Sequence, residues 1–341
     1  MTQPSDHVEA MTIRRAAEVL RAGGVVALPT ETVYGLGADA SNEAAVRRIF
    51  EIKGRPATNP LIVHVADASS ARRCVSHWPD GAQRLAERFW PGPLTIVLPK
   101  SEAIAPAVTA GGPTVGVRVP AHPVALSLLR AFAELGGNGL AAPSANRSNH
   151  VSPTTAQHVR DDLGDAVDLV LDGGPCRVGI ESTVLSLADS IPTVLRPGGV
   201  SVEALREVLG DVAVVGGSDT GASASPGRQA VHYKPNVEVE LFEPAGLSSL
   251  ERAGREQGWD RLVVMPLAQG EAERRVRQWS REGAATIPMP GEPAAYARGL
   301  YGALREAERR GARLFIELPP DEPGWRAVRD RLLRMGSVGR A

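Results

Sequence analysis

Apolar residues recur at helical spacing at Ile13, Ala16, Ala17 and Leu20, and Gly23-Gly24 supplies a stop. A continuous apolar run, Val25 to Leu28, reads as a buried strand. The stretch Pro29 to Asp39 reads as a loop, and Val46, Ile49 and Phe50 then share one face of a helix over Glu43–Lys53, which Pro56 ends. Strand-like runs follow at Leu61–Val65, Leu94–Leu98, Val115–Val119, Leu140–Ala142, Leu169–Leu171, Thr183–Leu187 and Thr193–Leu195. Helical patterns fall near Ala82–Phe89, Pro123–Leu135, Thr155–Asp162 and Val202–Leu209. Strands outnumber crossover helices, so the pattern predicts a mixed, twisted α/β sheet rather than a wholly parallel one.

Between Val215 and Pro235 the periodicity stops in a stretch rich in Gly, Ser and Ala, which marks a linker. Beyond it, strands Val237–Phe242, Leu262–Pro266, Thr286–Pro288 and Leu314–Glu317 alternate with helices Leu247–Gln257, Ala294–Arg310 and Gly324–Arg334. That order predicts a small three-layer α/β domain. The expected division is a first domain over 8–212, a linker and lid over 213–236, and a second domain over 237–335. There is no internal repeat.

Length and charge agree with this picture. A chain of 341 residues is long enough for two cores, and 38 Lys+Arg against 39 Asp+Glu leave a net charge of −1, which excludes a polybasic nucleic-acid arm. Aromatic residues are only 4% of the chain, which disfavours single-strand binding by base stacking. Cys74 and Cys176 have no neighbours at metal-ligand spacing and read as buried, inert thiols. No apolar signal core or run of about 18 apolar residues occurs, so the expected location is the cytoplasm, with no membrane partner.

Chemistry concentrates in polar loops that follow strands. No Walker loop, nucleophile elbow or H-E-x-x-H motif is present. Gly35-Leu36-Gly37-Ala38-Asp39-Ala40 matches the loose dinucleotide pattern, yet six residues separate it from the preceding strand, too many for that turn. Pro29-Thr30-Glu31-Thr32-Val33-Tyr34-Gly35 combines hydroxyls and glycine where open sheets hold ligands. Lys53 and Arg55 flank Gly54 at a helix end, either to grip a phosphate or to offset the helix dipole and cap its carbonyls. In Thr114-Val115-Gly116-Val117-Arg118-Val119-Pro120 a solitary arginine among valines needs an anion, from a ligand or from an internal Asp or Glu. Ala142-Pro143-Ser144-Ala145-Asn146-Arg147-Ser148, Ser152-Pro153-Thr154, Glu181-Ser182-Thr183 and Leu195-Arg196-Pro197-Gly198 complete the set, with Ser225-Pro226-Gly227 and His232-Tyr233 in the linker. The sequon Asn146-Arg147-Ser148 is empty in a cytoplasmic chain.

Taken together, P-T-E-T-V-Y-G-L, K-G-R-P with N-P-L, V-R-V-P, A-P-S-A-N, E-S-T-V, L-R-P-G and the terminal H-Y-x-P closely resemble the YrdC-like threonylcarbamoyl-AMP synthases in their two-domain form. The resemblance spans about residues 10 to 335. It implies a YrdC-like twisted mixed sheet followed by a Rossmann-like three-layer domain. It also implies an enzyme that joins L-threonine, bicarbonate and ATP with release of pyrophosphate. A downstream tRNA threonylcarbamoyl transferase would then load the adenosine beside the anticodon, and a weak contact with tRNA or double-stranded RNA is a further implied partner. By position, Thr32, His64, Arg118, Ala142 and Ser182 would form the threonine pocket. Lys53, Arg55, Asn59, Thr114, Ser144, Asn146, Ser152, Arg196, His232 and Tyr233 would contact ATP, which brings Mg²⁺ as cofactor, with no protein side chain assigned to the metal. The linker departs from the family in Arg228-Gln229-Ala230-Val231 before His232 and in Lys234. Two rivals are a non-catalytic RNA-binding protein and the carbamoyl-transfer module of hydrogenase maturation, whose zinc-finger and acylphosphatase segments are missing here.

Overall fold

The structure, a computed structural model, describes residues 4–215, 235–243, 248–267, 272–310 and 313–338. The remaining linker residues, with His232, Tyr233 and the proposed lid, lie outside the described residues. The chain divides into two compact units: Met1–Ser148, Ser152–Arg177 and Glu181–Arg228 form one, and Asn149–Val151, Val178–Ile180 and Gln229–Ala341 form the other.

In the first unit, helices α1 (Pro4–Arg21), α2 (Glu43–Lys53), α3 (Ala68–Cys74), α4 (Asp80–Phe89), α5 (Pro123–Glu134), α6 (Ala156–Leu163) and α7 (Val202–Leu209) accompany a ten-stranded sheet. Its strands are β1 (Val26–Leu28), β2 (Gly35–Asp39), β3 (Ile62–His64), β4 (Leu94–Pro99), β5 (Thr114–Arg118), β6 (Leu140–Ala141), β7 (Leu169–Val170), β8 (Thr183–Ser186), β9 (Thr193–Arg196) and β10 (Ala213–Val214). They lie in the order β10-β9-β8-β4-β5-β3-β6-β2-β1-β7, with parallel and antiparallel neighbours mixed as the element count predicted. Local chemistry sets the helix ends. Asn42 accepts from Ala44 and Ala45 at the start of α2, and Gly54 ends it at φ 60°, so the stop is this glycine rather than Pro56.

Several expectations change. Pro29 to Asp39 is not all loop: Gly35–Asp39 is β2, antiparallel to β1 and wholly buried. Gly35 and Gly37 therefore face no nucleotide turn. A Cβ on Gly37 would lie 3.0 Å from Leu28 Cδ2, so the glycine lets two strands pack closely. β10 pairs with β9, so the sheet continues past residue 212. Helix α3, capped by Asp67, is an element the pattern did not predict.

The second unit carries β11 (Val239–Phe242), α8 (Ser248–Gln257), β12 (Leu262–Met265), α9 (Ala272–Arg281), β13 (Ala285–Thr286), α10 (Pro293–Arg310), β14 (Arg313–Glu317), α11 (Arg326–Leu333) and β15 (Ser337–Val338). Of these, α9 and β15 were not predicted. The sheet runs β13-β12-β14-β11-β15 and every pairing is parallel. Crossovers run one way until β13 and then reverse, so a constant right-handed connection places α8 and α9 on one face and α10 and α11 on the other. Leu250, Ala253 and Trp279 of α8 and α9 indeed pack with Phe242, Leu262, Val264 and Phe315. This is the predicted three-layer domain.

Candidate functional site

Strand alternation separates core from site. On β5, Val115, Val117 and Val119 enter the main core, so Thr114, Gly116 and Arg118 face the other side. On β3, Val63 and Val65 join that core and leave Ile62 and His64 opposite; on β4, Leu94, Ile96 and Leu98 leave Thr95 and Val97. Ile62, Val97 and Val184 make a small apolar patch of their own among these polar positions. The parallel register of β3 and β5 sets His64 beside Arg118.

Arg118 is buried, and its partners lie far away in sequence. Its Nη2 pairs with Glu31 Oε1 at 2.6 Å, its Nη1 donates to Thr32 Oγ1 at 3.0 Å, and its Nε donates to the Gly92 carbonyl at 3.1 Å. The other Glu31 oxygen accepts from Ala121 N at 2.9 Å. The internal partner that the sequence left open is thus Glu31, whose carboxylate lies against Nη2 as an ion pair without an aligned hydrogen bond, so the N–H groups of Nη2 and the second one of Nη1 have no hydrogen-bond partner among the described residues. Thr30 Oγ1 donates to the Val33 carbonyl and accepts from Thr32 N, which fixes the loop that presents Thr32. Burial, with Arg118 alongside, pushes the His64 imidazole down to about 3, so it is neutral at physiological pH. Its Nδ1 is buried and has no aligned hydrogen-bond partner among the described residues.

Ser182 sits just before β8. Arg196 donates to its carbonyl from Nε at 3.2 Å and from Nη2 at 3.0 Å, and from Nη2 to its Oγ at 3.3 Å. Ser182 and Arg196, expected on threonine and ATP respectively, therefore touch one another.

Five of the other expected ATP contacts, Lys53, Arg55, Asn59, Ser144 and Asn146, gather around the end of α2. Lys53 Nζ donates to the Ser144 carbonyl at 2.6 Å and to that of Asn146, so this lysine braces the A-P-S-A-N loop. Burial first, and then Arg55, lower its pKa well below the usual lysine range. Arg55 donates to the carbonyls of Asn59 and Pro60. Both cations donate to loop carbonyls. Backbone bonds lace three distant motifs together: Leu36 N to Pro143 O, Ala145 N to Tyr34 O, and Tyr34 N to Pro153 O. Ala142 N donates to Ile62 O, which joins this loop to the β3 edge that carries His64. Ser152 Oγ donates to Glu181 Oε1 at 2.7 Å, and Thr114 opens β5 on the site face. Gly92 and Thr95 escaped the sequence reading because nothing local marks them, and Glu31, though part of the first motif, was given no role there.

Both thiols are buried as expected, and burial raises Cys74 to about 11 and Cys176 to about 12. Among the described residues, no helix is long and apolar enough to cross a membrane, and no group of three His, Cys, Asp or Glu stands ready for a metal.

The fold and site define a two-domain α/β protein whose first sheet displays guanidinium, hydroxyl and imidazole groups on one face, a surface suited to a small anionic ligand. Residues 18–198 match the family profile Sua5_yciO_yrdC, described as "Telomere recombination", and residues 200–337 match "Threonylcarbamoyl-AMP synthase, C-terminal domain". The chain is 40% identical to the threonylcarbamoyl-AMP synthase of Pyrococcus abyssi over 96% of its own length and 94% of the relative's. It is 42% identical to that of Bacillus subtilis over 94% and 92%. The crystal structure of P. abyssi Sua5 complexed with L-threonine superposes with a TM-score of 0.85 at 37% identity, covering 97% of each chain. The protein belongs to the two-domain threonylcarbamoyl-AMP synthase family.

Proposed function

We propose that the protein is an L-threonylcarbamoyladenylate synthase: it converts L-threonine, bicarbonate and ATP into L-threonylcarbamoyl-AMP and pyrophosphate. The observation that carries this reading is the near-complete likeness to a relative solved with L-threonine; it is supported by His64 and Arg118 lying side by side on β3 and β5, with Thr32 bonded to Arg118 from its loop. The open N–H groups on Arg118 Nη1 and Nη2 receive the threonine carboxylate, while Thr32, His64, Ala142 and Ser182 surround the rest of the molecule. His64, being neutral, offers the substrate a lone pair rather than a second positive charge.

The threonine amine, having lost a proton, attacks the bicarbonate carbon, and water leaves as the carbamate forms. A carbamate oxygen then attacks the α-phosphorus in line, and the bond to pyrophosphate breaks. Such transfer depends on positioning and charge neutralisation, so no protein nucleophile is required. Arg55, Asn59, Thr114, Ser144, Asn146, Ser152 and Arg196 hold the nucleotide. Lys53 shapes that site through the Ser144 and Asn146 carbonyls, and its third N–H remains for a phosphate. His232 and Tyr233 are assigned to the same ligand by motif alone. Mg²⁺ would arrive on the ATP phosphates and water, where it would supply charge neutralisation. Because the mixed anhydride hydrolyses readily, a tRNA-modifying transferase that consumes it is the natural partner.

Pyrophosphate release measured with each substrate omitted in turn tests the proposal, with the adduct identified by mass spectrometry. Release that requires threonine, bicarbonate and ATP together is expected. RNA binding without release, or activity with carbamoyl phosphate in place of these substrates, overturns it.

A further inference from the structure

Thr95 belongs to the run Leu94-Thr95-Ile96-Val97-Leu98, where it is the one polar residue, and it is completely buried. Its hydroxyl meets Ser182 Oγ at 2.8 Å and has no other hydrogen-bond partner among the described residues. Either oxygen is able to donate, but the alternatives are unequal. If Ser182 donated, the Thr95 proton would stay buried without an acceptor, which costs the full desolvation of that group. The Ser182 proton left over in the other arrangement is as buried, but a ligand at Ser182 is able to accept it whereas none reaches Thr95, so with ligand bound Thr95 is the donor. Ser182 Oγ also accepts from Arg196 Nη2 at 3.3 Å, so both of its lone pairs are taken. The Ser182 proton is left over, and no described residue accepts it.

The placement of Thr95 is secured from two sides. Its strand β4 runs parallel to β8, with Leu94 level with Thr183 and Thr95 with Val184, so its hydroxyl lies next to the residue that precedes β8. On the neighbouring β5, a Cβ at Gly116 would come within 3.0 Å of Thr95 Cγ2. Glycine there leaves the slot for the threonine methyl, and a β-branched side chain in such a slot has little rotational freedom.

We propose that Thr95 is a positioning residue that turns Ser182 into a dedicated hydrogen-bond donor toward an acceptor-only oxygen of the substrate, the carboxylate or carbamate of threonine. This role rests on the threonine reading of Ser182 given above. It explains why a hydroxyl stands in an otherwise apolar strand.

The full-length chain tests this through Thr95→Val, which keeps the shape and removes the hydroxyl, Thr95→Ser, which keeps the hydroxyl, Ser182→Ala, and the Thr95→Val/Ser182→Ala pair. Threonine and ATP dependence of pyrophosphate release and calorimetric threonine binding are the readouts. Thr95→Val is expected to raise the threonine KM about tenfold, as for one lost ligand hydrogen bond, with kcat and the ATP KM within about twofold. Thr95→Ser should stay within about threefold of wild type, and Thr95→Val should add less than about twofold in the Ser182→Ala background. If the valine variant does not fold, Thr95→Ala against Thr95→Ser makes the same comparison. A wild-type threonine KM in Thr95→Val, equal losses in kcat and both KM values, or an undiminished effect in the Ser182→Ala background overturns the role. A wild-type chain that neither binds threonine nor releases pyrophosphate overturns the reading of the site, and this role with it.

Discussion

Replacing Glu31 by glutamine should destabilise the protein out of proportion to the one atom changed. The Glu31 carboxylate is buried with both oxygens facing donors, Arg118 Nη2 at 2.6 Å and Ala121 N at 2.9 Å. Glutamine has one acceptor and one donor at those positions, so in either orientation its amide group meets another donor. It also removes the charge opposite a guanidinium that is itself only about 4% exposed. In an effective dielectric of about 20, charges 2.6 Å apart attract by about 6 kcal/mol, an upper limit on what is lost. Breaking one side of a buried pair typically costs about 3–5 kcal/mol, and that is the expected loss for E31Q. Urea unfolding followed by tryptophan fluorescence measures it. Adding Arg118→Met should recover part of the loss, because an unpaired buried charge is then gone. An E31Q variant within about 1 kcal/mol of wild type, or a double variant worse than the sum of the two single changes, would refute the argument.

Arg118→Ala should weaken threonine binding by about 2–5 kcal/mol and ATP binding by less than about 1 kcal/mol, and equal losses by calorimetry would contradict its assignment. His64 links stability to pH with a definite sign. Its folded pKa is near 3, below its unfolded value, so the unfolded chain binds more protons in between and stability falls as pH drops from about 6.5 toward 3. Within that window wild type should lose about 1 kcal/mol per pH unit more than His64→Asn, and parallel urea midpoints for the two proteins would count against it. Gly54→Ala, at φ 60° with nothing within 4 Å, should cost about 1 kcal/mol from backbone strain alone, and an unchanged melting temperature would remove that account.

Where the sequence speaks locally, the fold was legible. Helices α2 and α7 begin and end where predicted because each has a capping side chain, Asn42 or Ser201, and a glycine stop, Gly54 or Gly210. The alternating valines of β5 announced both the strand and the oddity of Arg118. Strand β2 was missed for a physical reason: G-L-G-A-D has no β-branched residue, and with both faces buried it shows no period of two. Helix α3 is only seven residues of A-S-S-A-R-R-C, too short for an amphipathic stripe. In the site, the described residues carried by motif lie on loops, strands and a helix end that the sequence predicts, as His64 on β3 and Arg118 on β5 do. Their partners were illegible, because Glu31 meets Arg118 across 86 intervening residues and Thr95 meets Ser182 across a similar span. Pairings of that kind are set by strand order, which composition and periodicity do not encode.

The alternation along β3, β4 and β5 has one further consequence. Each of these strands carries hydrophobic anchors on one side and ligand groups on the other, so a one-residue slip would bring His64, Thr95 and Arg118 into the interior and turn valines outward. Assembly errors and loss of the reaction surface are thereby the same event. A cell that discards chains with exposed valine also discards those unable to bind, without needing any separate check on activity.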